Sequence, residues 1–559
     1  MSQRDPCIIE KNQEDLKNDA KIRELWMKSI CDYDKHAKFK IKETYDFIIV
    51  GAGTAGCVLA RELIYGIPNI NILVLEAGGP NVHSNGLISM PCTWWGRAKQ
   101  YNDWAAQGPE YKIWDWDHCL EAFKALENNS RKNPDEKFKQ FHGFNGLHNV
   151  QDPKNGMYDI MSGLIDAAKT LGIPYNDFNG ENQNGVGKYQ FTNENGKRCS
   201  LADGFLSDAL KKVEFHPGSE PNGFGKVVAV DVRSYAHVLD IIWDEENKKE
   251  NIAIGVRYFC NGTVREAFIA PKGEVILCGG GINSPQILML SGVGPKENLE
   301  ANNIKVRKEL PVGRNLLDHP SCLFAAKSTI DKIHHWSGGS EVGIIHKANI
   351  EGKIPCKEEL FDENTDIQIC AMPLRPSLIE GLSNIDDNFG RIILLPILNI
   401  PSSVGYLELN SNNPFDQPRI HLNFFEKSDD LYRMISSLKL VREILKQPPL
   451  STVYNVKEIG INDEFGQWST NGDDISDEEF VLERGTTTFH LSGTTKMAPE
   501  SKDGVVNHRL QVYGTKNLRV VDTSIFLYIP TGNTNAPIAM VAWRASQLIV
   551  EDYTRKNSL

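Results

Sequence analysis

Tyr45-Asp46-Phe47-Ile48-Ile49-Val50-Gly51-Ala52-Gly53-Thr54-Ala55-Gly56 reads as a buried strand that runs into a glycine-rich turn, with a helix expected from about Cys57. Each glycine has a mechanical task in such a turn. Gly51 permits the tight reversal, Gly53 lets a pyrophosphate approach the backbone, and Gly56 lets helix and strand pack closely. The helix amino terminus then offers free N–H groups and a positive dipole end to phosphates. A second apolar run, Ile72-Leu73-Val74-Leu75, ends at Glu76, whose carboxylate is placed to accept both ribose hydroxyls of an adenosine and to repel an additional phosphate there. The motif by itself leaves FAD and NAD open.

The same alternation recurs further along the chain. At Glu274–Gly292 the strand-like Val275-Ile276-Leu277-Cys278 enters a glycine-rich turn and a helical Ser284–Leu290, and near the end Asn517–Asp522 is followed by a turn and an apolar helix over Ala536–Val550. Pieces of one nucleotide-binding domain dispersed in this way require something inserted between them. We expect an α/β protein in which a discontinuous Rossmann-like dinucleotide-binding domain carries an inserted α+β substrate domain. The expected division is a polar extension over 1–43 with a helix around Leu16–Ile30, a mainly cofactor-binding region over 44–322, a mainly substrate-binding domain over 323–487, and a catalytic and cofactor-binding segment over 488–559. Within the insert, Gly405–Leu409 alternates as a strand does and Asp429–Leu445 has helical spacing.

Composition excludes several classes of function. Apolar residues make up 40% and charged residues 24%, values of an ordinary folded domain, and the net charge of −12 is spread along the chain, so no basic footprint for nucleic acid exists. The amino-terminal residues lack an apolar signal region and no stretch approaches the length of a membrane-spanning helix, so no integral membrane segment is expected and the location is read as cytoplasmic. The 11 cysteines are scattered without metal-ligand spacing, which reads as reduced thiols and no metal site.

Four further stretches resemble the glucose–methanol–choline (GMC) oxidoreductases, namely Gly280–Pro295, Val312–Pro320, Phe489–Thr494, and Leu518–Asp522 continuing to Asn533-Thr534-Asn535-Ala536-Pro537. Phe141-His142-Gly143, Gly185-Val186-Gly187 and Gly196-Lys197-Arg198 match in order as well. The resemblance spans almost everything from Tyr45 to Tyr553 and implies a flavoprotein with FAD as cofactor, acting on the CH–OH group of an alcohol, with oxygen or another electron acceptor as second partner. It maps the family's catalytic histidine onto His490 and its partner onto Asn533. Histidine suits a general base because its ordinary pKa lies near working pH, and asparagine suits a hydrogen-bond donor to the developing alkoxide. Cofactor contacts map onto Val238, Asp522, Thr534 and Asn535.

One stretch departs from the family pattern. Glu76-Ala77-Gly78-Gly79 is followed almost at once by Pro80–Gly86, where family members carry a few tens of residues before a second glycine-rich motif. His83-Ser84-Asn85 reads as the remnant of that motif, which makes Asn85 the flavin contact of this segment. Two alternatives accompany the oxidoreductase reading. One is a hydroxynitrile-lyase-like enzyme on the same scaffold, and the other is a non-catalytic homologue that has lost FAD through the shortened 80–85 segment.

Overall fold

The computed structural model describes residues 43–79, 95–152, 159–194, 197–212, 214–216, 226–246, 250–328, 339–354, 365–374, 390–458, 460–462, 467–469 and 475–558. The helix expected around Leu16–Ile30 lies outside them.

The opening strand β1 (Glu43–Val50) and helix α1 (Thr54–Gly66) take the places that the glycine-rich stretch dictates. Helix α1 buries Val58, Leu59, Leu63 and Ile64 against the sheet, and Pro68 just beyond it cannot extend it. Strand β2 (Ile72–Leu75) is buried throughout, as a strand covered on both faces must be. The sheet is completed by β3 (Val230–Arg233), β4 (Ala236–Trp243), β5 (Asn251–Cys260) and the long β6 (Thr263–Leu277), which leads into helix α2 (Gly280–Leu290). The carboxy-terminal segment contributes β7 (Leu518–Val520) and helix α3 (Asn535–Ser558).

Strand order across this sheet is β3-β2-β1-β6-β5-β4, with β7 added beside β6. The β3, β2, β1, β6 and β7 pairings are parallel, whereas β5 and β4 return antiparallel. Fifteen residues are needed in β6 because its first half pairs with β5 and its last three residues pair with β7. The two halves are joined by an irregularity at Pro271-Lys272-Gly273, where register against β1 shifts between Tyr45 and Phe47.

The register decides where the site lies. Val50 stands opposite both Leu75 and Leu277, and Leu277 stands opposite Val520. Gly51, Glu76, Cys278 and Val521 therefore leave the sheet side by side at its carboxyl edge, where open α/β sheets hold their ligands.

A second eight-stranded sheet is antiparallel, with strands Phe324–Ser328, Gly390–Leu398, Ile367–Leu374 and Val342–His346 at its centre. Helices Asp159–Thr170 and Ser428–Leu445 pack beneath it in a separate apolar core containing Leu164, Phe324, Ile344, Ile369, Leu394 and Leu438. This sheet reaches beyond residues 323–487, because Gly185–Lys188 pairs with Val342–His346 and Pro320–Cys322 pairs with Gly390–Leu398 and Gly485–Thr487. The alternating Gly405–Leu409 stretch forms a small separate hairpin, with Tyr406–Glu408 paired to Arg419–His421.

Candidate active site

The three glycines of the first turn have three distinct surroundings. Gly51 has φ +108°, and a Cβ there would lie 2.4 Å from the Cys278 carbonyl oxygen. On Gly56 a Cβ would lie 2.0 Å from the Gly51 carbonyl oxygen, so helix and strand meet backbone to backbone. Gly53 differs, since a Cβ built on it meets no protein atom within 4 Å. The open space is a cavity of about 370 Å³ that brings together Gly51, Gly53, Glu76, Val238, Asp522, Thr534 and Asn535. Gly56 is placed behind the turn, as a packing residue.

The amino termini of α1, α2 and α3 all contribute to the cavity lining, through Thr54 and Ala55, Gly279 and Gly280, and Thr534 and Asn535. Neither Gly53 nor Gly279, the cap residues, has a side chain to cap the first N–H groups of α1 or α2, although the Gly280 amide of α2 is taken by Asp522. Three helix ends converging on one glycine-lined space form a donor set suited to a diphosphate, so the residues present fit a dinucleotide such as FAD. Glu76 accepts from the Ala52 amide at 2.7 Å through Oε2 and from the Gly78 amide at 2.7 Å through Oε1, bonds that fix the carboxylate and leave it acceptor capacity toward a ribose. A second space of about 470 Å³ shares Gly53, Thr54, Glu76 and Asn535 with the first and is lined in addition by Arg198 and Ser200.

Asp522 lines the cavity but points its carboxylate into protein. It accepts from the Gly280 amide at 2.9 Å and the Ser284 hydroxyl at 2.5 Å, and from the Ser524 amide and hydroxyl at 2.9 and 2.5 Å. Burial pushes its pKa up, against the pull of these four bonds. The residue ties the start of α2 to the segment after β7. Asn535 accepts from the Thr54 hydroxyl at 2.6 Å, which ties α3 to α1. Asn85 lies outside the described residues.

Pro285 explains a further link. A proline inside α2 has no N–H to give the Gly281 carbonyl, and that carbonyl instead accepts from the Thr494 hydroxyl at 2.8 Å. A Cβ on Gly281 would lie 2.3 Å from the Leu491 carbonyl oxygen. The helix that borders the cofactor cavity thus touches the segment that carries His490.

His490 is aimed by a short turn. Phe489 adopts φ +60°, rare for a bulky residue, and its amide donates to the Thr487 hydroxyl at 2.8 Å. The His490 amide donates to Asp318 Oδ1 at 2.9 Å. Its ring Nδ1 lies 3.0 Å from Thr488 Oγ1 and 3.0 Å from Nδ1 of His319, and its Nε2 lies 3.4 Å from Asn533 Nδ2. Burial lowers the His490 pKa to about 4, so the imidazole is neutral near pH 7. Asp318 is pushed up to about 6 by burial, with bonds from Thr487 and the His490 and His319 amides opposing the rise. His319 is held well below its ordinary value by burial and by the facing His490.

His490 and Asn533 are therefore adjacent, and Asn533 directly precedes the cavity-lining Thr534 and Asn535. Asp318, His319 and Thr488 carry no role in the sequence reading. Their signal is the pair Asp318-His319 before the strand that begins at Pro320, but its meaning depends on that strand pairing with Gly485–Thr487.

Comparisons with known proteins bear on the family and the fold. Sequence profiles described as GMC oxidoreductase match residues 45–321 and 401–542. An alcohol dehydrogenase [acceptor] of Pseudomonas putida is 30% identical over 568 residues, covering 90% of this chain and 96% of that protein. A glucose dehydrogenase [FAD, quinone] of Drosophila melanogaster is 27% identical, covering 94% of this chain and 91% of that protein. Among solved structures, formate oxidase of Aspergillus oryzae superposes with a TM-score of 0.75 at 21% identity, covering 92% of this chain and all (100%) of that chain. The chain belongs to the GMC oxidoreductases, a family of FAD-binding enzymes built on a Rossmann-like fold.

Proposed function

We propose that this enzyme oxidises the CH–OH group of an alcohol, with His490 as general base and Asn533 as the donor that positions the substrate oxygen. The observation that carries this reading is the placement of His490 Nε2 beside Asn533 Nδ2, 3.4 Å apart. An alcohol hydroxyl can donate to the first and accept from the second at the same time. Bound FAD supplies the hydride acceptor, at flavin N5, for the hydrogen on the carbinol carbon. Gly51, Gly53, Glu76, Val238, Thr534 and Asn535 would hold that cofactor, with Asp522 bracing α2 behind it.

The neutral ring of His490 is ready to take a proton near pH 7. Burial disfavours the imidazolium that results, and the alkoxide forming at the same moment offsets that cost. Asn533 Nδ2 supports the growing negative charge on the oxygen. In this reading residues 44–322 and 488–559 serve mainly the cofactor and residues 323–487 mainly the substrate. The alcohol dehydrogenase named above supports an alcohol as the donor.

The test is anaerobic rapid mixing of FAD-loaded protein with choline, glucose, benzyl alcohol and 1-octanol, following loss of the flavin's visible absorbance. His490→Ala should slow that loss by about 10² to 10⁴, and Asn533→Ala should slow it less. A His490→Ala protein that bleaches at the parental rate removes His490 from the reaction. Cleavage of a hydroxynitrile without bleaching by any alcohol would assign the scaffold to lyase chemistry.

A further inference from the structure

We infer that His319 is a positioning residue that holds the His490 ring in the tautomer with its proton on Nδ1, leaving Nε2 unprotonated toward Asn533. This inference rests on the reading of His490 as the base. Two imidazole Nδ1 atoms face each other at 3.0 Å, so one must carry the hydrogen and the other must accept it. Two neighbours decide which.

First, the Thr488 hydroxyl has a backbone acceptor for its own hydrogen, the His319 carbonyl at 3.0 Å, so toward His490 Nδ1 the oxygen serves as an acceptor. Second, the Asn533 amide presents Nδ2, a donor, to His490 Nε2. A protonated Nε2 would set two donors against each other. With the hydrogen on His490 Nδ1, the facing His319 Nδ1 is left as the acceptor, and the His319 hydrogen falls on its buried Nε2. Both observations lead to one arrangement. His490 Nδ1–H donates toward His319 and Thr488, and its free Nε2 faces the substrate position.

The backbone makes this arrangement rigid. Pro320 pairs with Thr487 across the sheet, the Thr488 amide donates to the His319 carbonyl at 3.3 Å, and Asp318 Oδ1 accepts from both the His319 and His490 amides at 2.9 Å. The two rings meet edge to face with centroids 5.1 Å apart. His319 is fully buried, so this ring touches substrate only through His490.

The experiment compares His319→Leu, which removes the acceptor, with His319→Asn, whose Oδ1 can stand in for Nδ1. Both are loaded with FAD and mixed anaerobically with benzyl alcohol, or with whichever of choline, glucose and 1-octanol reduces the flavin fastest. His319→Leu should bind FAD and keep KM within about twofold while flavin reduction slows about 10- to 100-fold, the usual cost of an outer-shell partner. His319→Asn should recover most of the rate. A leucine variant at the parental rate, or an asparagine variant as slow as the leucine variant, overturns the proposal. Should His319→Leu fail to fold, ¹⁵N-histidine spectra of the parental protein decide, since a His490 signal protonated on Nε2 and not on Nδ1 also overturns it. Failure of the base assignment itself is seen separately, as parental activity in His490→Ala.

Discussion

Replacing Gly53 by alanine should separate cofactor affinity from folding. The backbone at Gly53, with φ −72° and ψ −166°, suits any residue, and the added Cβ meets no protein atom within 4 Å. Alanine gains about 0.4–1 kcal/mol by restricting the unfolded chain, and it loses a similar amount, roughly 0.5 kcal/mol, as a poorer helix cap. The stability of the cofactor-free protein should therefore change by less than about 1 kcal/mol. The methyl group projects into the space assigned to the pyrophosphate. Displacing one charge-assisted hydrogen bond costs about 1.5–3 kcal/mol, equivalent to a Kd about 10 to 150 times higher. Gly56→Ala should behave in the opposite sense, because its Cβ would lie 2.0 Å from backbone and must push α1 off the sheet, at about 1–3 kcal/mol. Titration of the cofactor-free proteins with FAD, read by flavin fluorescence quenching and paired with urea unfolding, distinguishes the two. Parental FAD affinity in Gly53→Ala, or a loss of stability there equal to that in Gly56→Ala, would refute this assignment of the turn.

Three other perturbations bear on different parts of the molecule. Arg519 is fully buried and bonds Glu274 at 2.6 and 3.2 Å and Asp552 at 2.7 Å, and those carboxylates also hold Lys556 and Arg509; Arg519→Met should lose about 1.5–3 kcal/mol in urea unfolding by removing charge-assisted bonds, and an unchanged midpoint would count against it. His142 sits between Glu127 and Asp177, at 3.1 and 3.2 Å, and bonding to those carboxylates outweighs burial and raises its pKa from 6.5 to about 9. Because the folded value is the higher one, its contribution is complete below pH 6.5 and fades as pH rises through 9, an effect on the order of 1–3 kcal/mol; Tm followed from pH 6.5 to 9.5 should fall in the parental protein more than in His142→Gln. Finally, with the His490 pKa lowered to about 4, flavin reduction should hold its rate as pH drops below 6.5 and decline only near pH 4, where Nε2 becomes protonated. An acid limb at 6.5 would show that burial does not govern this ring.

The cofactor edge was the most legible part of the chain because its logic is local. Gly51, Gly53 and Gly56 each need a backbone feature that neighbouring residues supply, and Glu76 follows directly from the end of a short apolar strand. Helix Ser428–Leu445 and the terminal helix were legible for the same reason, since periodicity is a property of one segment. The second sheet was less so, because Gly185–Lys188 joins it from far upstream and nothing in four residues announces a distant partner. Asp318, His319 and Thr488 were silent for a related reason. Their roles arise only when two distant strands pair, setting His319 and Thr488 beside the His490 ring and Asp318 on its amide. Asp522 shows the converse case, in which the expected cofactor contact lines the cavity while its carboxylate is engaged with α2 and Ser524.

The discontinuous sheet also sets the timing of biosynthesis. Val275, Ile276 and Leu277 at the end of β6 pair with Leu518, Arg519 and Val520, and α3 packs on α1 at the other extreme of the chain. A growing polypeptide that has already made β1, α1, β2 and β6 cannot close its first sheet until residues 278–517 have been translated. During that interval the apolar face of α1 and the edge of β6 await partners not yet synthesised, which exposes the nascent chain to aggregation. Chaperone occupancy on translating ribosomes should accordingly persist until the last helix emerges, and the nucleotide-binding half, although it begins first, should be among the last parts of the protein to become resistant to protease.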